Sequence, residues 1–373
     1  MNSSLKLSYH LPIRFLTGPK SAPGKSRIIQ NVSNYSNIFT SASQCQVQKK
    51  QANTKTLNIF DRKTKLWQRE RAALSDKVEN FDYVKNEIGY RLADRVFDIK
   101  RKFNRVIDLG CSRGYVSKHI SADSVEHLIM TDNSELLMSQ SVCNDPNVKV
   151  EKIVCDEEHL EDVFEPESID LVISNLALHW VNDLPGCFKQ IMKLLKVDGV
   201  FLGSMFGIDT LYELRSSLQL AETERKGGVS PHVSPFTKPM DVGFLLQKSG
   251  FVMQTIDVDE VIFIYPSIFE LMEDLKGMGE SNASWNRSLH ISRDTILAAA
   301  PIYEKLYGNK RIEEENIDIN GVPATFQVVY FIGWKPDPSK PQPQPKDPTM
   351  VSLKDFYSLG DIGSEPKKIK LDE

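Results

Sequence analysis

From about residue 104 onward, short apolar runs alternate with longer stretches of helical spacing. The runs are Val106-Ile107-Asp108-Leu109, Leu128-Ile129-Met130, Val148 to Val154, Ile169 to Ile173 and Gly199 to Met205. Strands that alternate with helices in this way predict a parallel sheet covered on both faces, an α/β fold of the Rossmann-like kind. A sixth strand is expected at Phe251 to Asp257 and a seventh at Ala324 to Trp334. Helices are expected over Leu211 to Arg225 and Asp241 to Gly250, where they would roof a pocket.

The first run leads into Gly110-Cys111-Ser112-Arg113-Gly114, a tight glycine turn predicted to open a helix. Its glycines lack the middle member that lets a G-x-G-x-x-G backbone approach a pyrophosphate, so a nucleoside without phosphate fits better. Such a loop can hold S-adenosylmethionine. Gly110 and Gly114 permit close approach, free amides face a carboxylate, and Asp108 is placed for the ligand's ammonium end. A glycine turn that merely packs strand against helix is the plainer alternative.

Asp132 closes the second run, 22 residues beyond Gly110, where a carboxylate can accept ribose hydroxyls. Asp156, after the third run, is the candidate for the exocyclic amine of adenine. Either acid could instead cap the helix that follows it. The fourth run leads to Ser174-Asn175-Leu176-Ala177-Leu178-His179-Trp180, at the strand edge where open α/β sheets bind ligands.

In order and spacing, these segments from about Asn104 to Met205 resemble the class I S-adenosylmethionine-dependent methyltransferase family. The resemblance implies a seven-stranded, mostly parallel sheet with flanking helices and a helical lid. It also implies that Asn175, His179 and Trp180 line the reaction pocket. His179 would serve as a base near neutral pH and Asn175 would orient a backbone or guanidinium group. Packing of the lid's underside is the alternative for Leu178, His179 and Trp180. Tyr90 and Tyr115 are further candidates, although a helical tyrosine is more often core.

Charge divides the chain. Positions 1–60 hold eight Lys or Arg and no Asp or Glu, whereas positions 61–373 hold 38 basic and 50 acidic residues. Residues 1–48 have the Ser-rich, acid-free composition of a mitochondrial transit peptide, with cleavage expected roughly before Gln48. A helical cap is expected over 49–100, the ligand-binding domain over 101–335, and a disordered Pro-rich tail over 336–373. The acidic main domain argues against general nucleic-acid binding. No run of about 18 apolar residues is available to span a membrane. The five cysteines show no C-x-x-C spacing, so neither a zinc site nor a disulfide framework is expected.

A charged helix, Asn58 to Ala73, precedes the first strand. Arg62, Arg69 and Arg71 would close over the ligand or grip an acidic partner, with Leu66 and Trp67 pinning the helix to the domain. A solvated charged face is the alternative. This segment, the glycine loop, the Leu178-to-Leu184 stretch and the basic leader resemble the mitochondrial complex I assembly factor 5 family over about residues 57–335. Bacterial relatives that methylate a malonyl thioester in biotin synthesis are similar in the leading helix and loop.

That resemblance implies a matrix protein, peripheral on the inner membrane, that hydroxylates an arginine of an iron–sulfur subunit of complex I. Methyl transfer needs mainly alignment, but hydroxylating an unactivated carbon usually needs an oxygen-activating metal or organic cofactor. His159-Leu160-Glu161 is the one H-x-D/E match, and it carries little weight as a metal site. A plain methyltransferase and a non-catalytic assembly chaperone are the two alternatives.

Overall fold

A computed structural model describes residues 58–308 and 321–339, with the backbone also at 311–312 and 317–318. The expected transit segment and nearly all of the Pro-rich tail lie outside the described residues. Two helices lead, α1 (Arg62–Ala73) and α2 (Tyr83–Asp98). Then come β1 (Phe103–Leu109), β2 (Val125–Asp132), α3 (Glu135–Gln140), β3 (Lys149–Val154), β4 (Ile169–Asn175), α4 (Leu184–Leu194) and β5 (Leu195–Phe206). The remainder comprises α5 (Tyr212–Lys226), α6 (Pro239–Ser249), β6 (Val252–Tyr265), α7 (Ile268–Gly277), α8 (Arg293–Tyr307), the short pair β7 (Arg311–Ile312) and β8 (Ile317–Asp318), and β9 (Val322–Trp334).

Seven strands form one sheet in the order β3-β2-β1-β4-β5-β9-β6. Pairings among β1 to β5 are parallel, and β9 runs antiparallel between β5 and β6. The strand order reverses between β1 and β4, and ligands of such sheets bind at that reversal. The expected seven-stranded, mostly parallel fold is what forms.

Burial on both faces explains why the inner strands read as unbroken apolar runs rather than alternating ones. On one face, Val84, Ile88 and Leu92 of α2 meet Val106 of β1, with Leu214 and Leu218 of α5 in the same cluster. On the other, Phe188 and Ile191 of α4 and Val242 and Leu246 of α6 cover Ile107, Val172 and Phe201. The expected roofing role of α5 and α6 is therefore wrong. Their buried residues pack on the sheet and its flanking helices, α6 against α4 and β6, and α5 against α8 and β9.

A second correction concerns the helix expected after the glycine turn. Only a 3₁₀ turn forms there, Ser117–His119, because the chain leaves helical backbone at the buried Ile120 (φ −73°, ψ 138°) on its way to the next strand at Val125. The roof over the strand ends is built instead from α1 and the segment 278–285 after α7. Asp61 donates its backbone N–H to Ala283 O at 2.8 Å, and Phe60 bridges Ser284.

Candidate functional site

The glycine loop is held by the protein itself. Gly110 and Gly114 sit at φ +67° and +79°, and Ser112 at +51°. A Cβ at 110 would lie 2.3 Å from the Ala177 Cβ, and one at 114 would lie 2.5 Å from Val142 O. Both glycines are thus required by backbone conformation and by crowding together.

Asp132 reaches the loop from β2. Its Oδ2 accepts the Ser112 N–H at 2.9 Å and its Oδ1 accepts the Ser134 N–H at 2.9 Å. It does not cap α3; Ser134 does, accepting from Leu137 N at 3.3 Å. With Asp132→Ala, two buried amides lose their acceptor at about 1–3 kcal/mol each, so the loop should loosen and adenosyl-ligand affinity fall at least tenfold. Titration calorimetry with S-adenosylmethionine checks this, and unchanged affinity would contradict it.

Asp108 stands beside it, 1% exposed. Its Oδ2 accepts from Ser117 Oγ at 2.5 Å, while Oδ1 has no partner among the described residues. Burial, reinforced by the nearby Asp132 charge, pushes its carboxyl up to about 7. An orphaned oxygen beside a nucleoside-type loop fits a ligand that brings a donor.

Three acids follow β3, and Asp156, the expected partner of adenine, is not the one that turns inward. Asp156 is partly exposed, and its Oδ1 accepts from Glu158 N at 2.9 Å and from Arg62 at 2.7 Å. Glu157 is the buried member at 2% exposure, and its Oε1 approaches within 3.3 Å of the Cβ position of Gly110. Arg62 of α1 also binds Glu157, and lies 3.1 Å from Glu158. Burial pushes the Glu157 carboxyl up against the opposing pull of Arg62. Sequence reasoning passes over Glu157 because three adjacent acids carry no marker of which one turns inward.

The β4 end holds the most unusual chemistry. Asn175 is tied down, its Oδ1 accepting from Ser204 Oγ at 2.8 Å and its Nδ2 donating to Lys85 O at 3.4 Å. Trp180 donates Nε1–H to Glu280 Oε2 at 2.9 Å. Around Glu280, a buried carboxylate, gather Lys85 at 2.7 Å, Lys65 at 3.9 Å and Arg69 at 4.0 Å. Burial alone would raise the Glu280 carboxyl, but Lys85, Lys65 and Arg69 together hold it well below the usual carboxylate range.

Helix α1 delivers two of these cations, and it does so with an inverted pattern. Lys65 and Arg69 are buried, whereas Trp67 is 67% exposed. Trp67 therefore does not pin the helix, and Arg71 faces solvent. The physical reason is that the helix docks on acids and carbonyls, which pair with its basic face and offer no apolar surface to Trp67. Arg62 reaches the acids after β3, and Arg69 reaches Leu176 O just past β4. Of the two tyrosines, Tyr90 is exposed and Tyr115 is buried, donating to Asp82 Oδ1 at 2.6 Å. His159 and Glu161 diverge: His159 is exposed, and Glu161 pairs with Lys193 at 2.8 Å.

His179 is buried among Trp180, Phe206 and Phe236, and neither ring nitrogen has a hydrogen-bond partner among the described residues. Burial, only partly offset by Glu280, pushes it down to about 3. This corrects the expectation of a base poised near neutrality. Above its ordinary value of 6.5 the ring is neutral folded or unfolded; below it, the unfolded ring takes a proton that the folded one refuses until about pH 3. Stability should therefore fall as pH drops across that window, by about 1.4 kcal/mol for each pH unit traversed. His179→Phe should flatten the fall in urea titrations run at stepped pH. A parallel curve for the variant would refute the assignment.

A family profile described as a methyltransferase domain matches residues 107–203. The rat protein named mitochondrial arginine-hydroxylase NDUFAF5 is 49% identical over 314 residues, covering 84% of this chain and 88% of the relative. The chain belongs to the NDUFAF5 arginine-hydroxylase family. The human NDUFAF5 is 46% identical with the same coverage. A malonyl-[acyl-carrier protein] O-methyltransferase of Gallionella capsiferriformans is 28% identical over 282 residues, 72% of this chain and 90% of its own length. The family resemblance read from the leading helix, the glycine loop and the Leu178-to-Leu184 stretch holds. In this member of the NDUFAF5 family, α1 roofs both the acids beside the glycine loop, through Arg62, and the Trp180–Glu280 cluster, through Lys65.

Proposed function

We propose that this chain binds S-adenosylmethionine along the C-terminal ends of β1, β2 and β4 and hydroxylates an arginine side chain of a protein, an iron–sulfur subunit of complex I. The observation that carries the hydroxylase reading is the identity to the NDUFAF5 arginine-hydroxylases across 84% of the chain. Support for the ligand comes from the methyltransferase profile and from the orphaned Asp108 oxygen next to the glycine loop. Asp108 and the Ser112 and Arg113 region would hold its amino-acid end, and Asp132 and the 156–158 acids its adenosine.

When bound, that ligand supplies an electrophilic methyl group. Hydroxylation instead replaces a C–H hydrogen by OH, a two-electron oxidation that needs an oxidant other than this ligand, so the two chemistries leave products of different mass. A methyltransferase is the second reading, favoured by the profile match at 107–203. In either case Asn175 positions the strand end, and Trp180 and Glu280 form the wall against which an acceptor side chain would rest. His179, neutral and water-excluded, packs that wall rather than moving a proton.

The mitochondrial matrix is the proposed site of action, reached by way of residues 1–48 as a transit segment. Support comes from the basic, acid-free leader and from relatives whose names include the mitochondrion. Among the described residues no helix is long and apolar enough to cross a membrane. The proposed attachment to the inner membrane is peripheral. The test is incubation of the purified full chain with the complex I subunit, followed by mass analysis of that subunit. Added oxygen supports hydroxylation, an added methyl group supports transfer, and an unchanged mass leaves an assembly chaperone.

A further inference from the structure

The ammonium of Lys65 is held in a cage of groups that attract cations, with the like charges of Arg69 and Lys85 also nearby. Its Nζ lies 3.5 Å from the centroid of the Trp180 ring. It donates to Gly279 O at 3.1 Å and to Ser281 O at 2.7 Å, and Glu280 Oε2 is 3.9 Å away. An aromatic face, a carboxylate and two carbonyls are also what a guanidinium needs. Its flat surface stacks on an indole, and its five N–H groups require acceptors at the rim.

We propose that this cage is the guanidinium subsite for the substrate arginine, and that Lys65 fills it until an arginine displaces the ammonium. The proposal rests on the hydroxylase reading and names where that substrate is held. Three cations already surround Glu280, so a fourth would add uncompensated buried charge. Exchange of Lys65 for the incoming arginine leaves the count unchanged. Lys85, which comes from α2 and also donates to Met278 O at 2.8 Å, stays behind with Glu280.

Lys65 is the displaceable cation because of how its helix is docked. The buried face of α1 consists of Lys65, Arg69, Ala72 and Ala73, with little apolar area to expose on release. The large apolar side chain of the helix, Trp67, already faces water. Arg69 is weakly held, its Nη2 reaching Leu176 O at 3.5 Å and its Nε finding no hydrogen-bond partner among the described residues. The cage lies just past the end of β4, where Trp180 sits, beside the strand-order reversal where the family's chemistry is expected.

The experiment titrates the full chain and Lys65→Ala with methylguanidinium by calorimetry, using urea as the neutral isostere and acetate as the anionic control. Lys65→Ala should bind methylguanidinium at least about tenfold tighter than the unaltered chain, equivalent to about 1.4 kcal/mol. Urea should not bind, and Lys65→Ala combined with Glu280→Gln should lose the gain. Circular dichroism confirms that each variant is folded. Equal affinity of both proteins for methylguanidinium, equal binding of urea, or a preference for acetate would overturn the proposal.

The failure of the cage and the failure of the hydroxylase reading give different results. If the complex I subunit gains oxygen while Lys65→Ala gains no affinity for methylguanidinium, the cage is wrong and the reaction stands. If the affinity gain is present and the subunit is never oxidised, the cage stands as a guanidinium site and the reaction is wrong.

Discussion

Glu280→Ala is expected to destabilise the protein by about 3–5 kcal/mol, the range for removing one partner from a buried charge cluster. Lys85, Lys65 and Arg69 lie within 4.0 Å of the Glu280 carboxylate, and the Trp180 indole N–H donates to it. Removal leaves three buried cations facing one another. Their cheapest relief is solvation, and α1 carries two of them, so α1 should detach before the sheet unfolds. Urea denaturation measures the total loss, and hydrogen exchange at 62–73 reports the detachment. Adding Lys65→Met should recover part of the stability by removing one stranded charge. A loss under about 1 kcal/mol would show that water already solvates the cluster.

Gly110→Val is the second large effect, expected to cost about 2–6 kcal/mol. Left-handed backbone at φ +67° disfavours any Cβ by roughly 1–3 kcal/mol, most of all a branched one. Contact of the new Cβ with that of Ala177 at 2.3 Å adds overpacking of about 1–3 kcal/mol. Gly227→Ala is the matched control, since Gly227 has the same φ of +67° with nothing within 4 Å. It should lose only the backbone contribution, about 1 kcal/mol. Equal losses at the two positions would mean that Ala177 yields freely. Adenosyl-ligand affinity should fall with Gly110→Val and remain unchanged in the control.

Much of the fold is legible in the chain because its signals are local. Ile107, Leu109, Val172 and Phe201 read as buried strand because both faces of the sheet are covered, and Asp132 is found by counting from Gly110. The misassignments share a different origin. Apolar residues ordinarily face the core, which points Trp67 of α1 inward, yet the structure turns Lys65 and Arg69 inward instead. Glu280 escapes notice because nothing in Met278-Gly279-Glu280-Ser281 marks it. Its partners Lys65 and Lys85 lie about 200 residues earlier in the chain. His179 sits at the strand end as its spacing implies, but not in the near-neutral role expected of it, because spacing reveals position and does not reveal solvent exclusion.

The order of the seven sheet strands, the glycine bend and the acids at the ends of β2 and β3 are determined by sequence alone, since each depends on neighbours a few residues apart. Which carboxylate turns inward after β3, which face of α1 docks, and the assembly of Lys65, Lys85, Trp180 and Glu280 into one cluster are decided only by tertiary structure. Those features depend on desolvation and charge pairing between distant segments, and both are properties of a folded interior rather than of any stretch of chain.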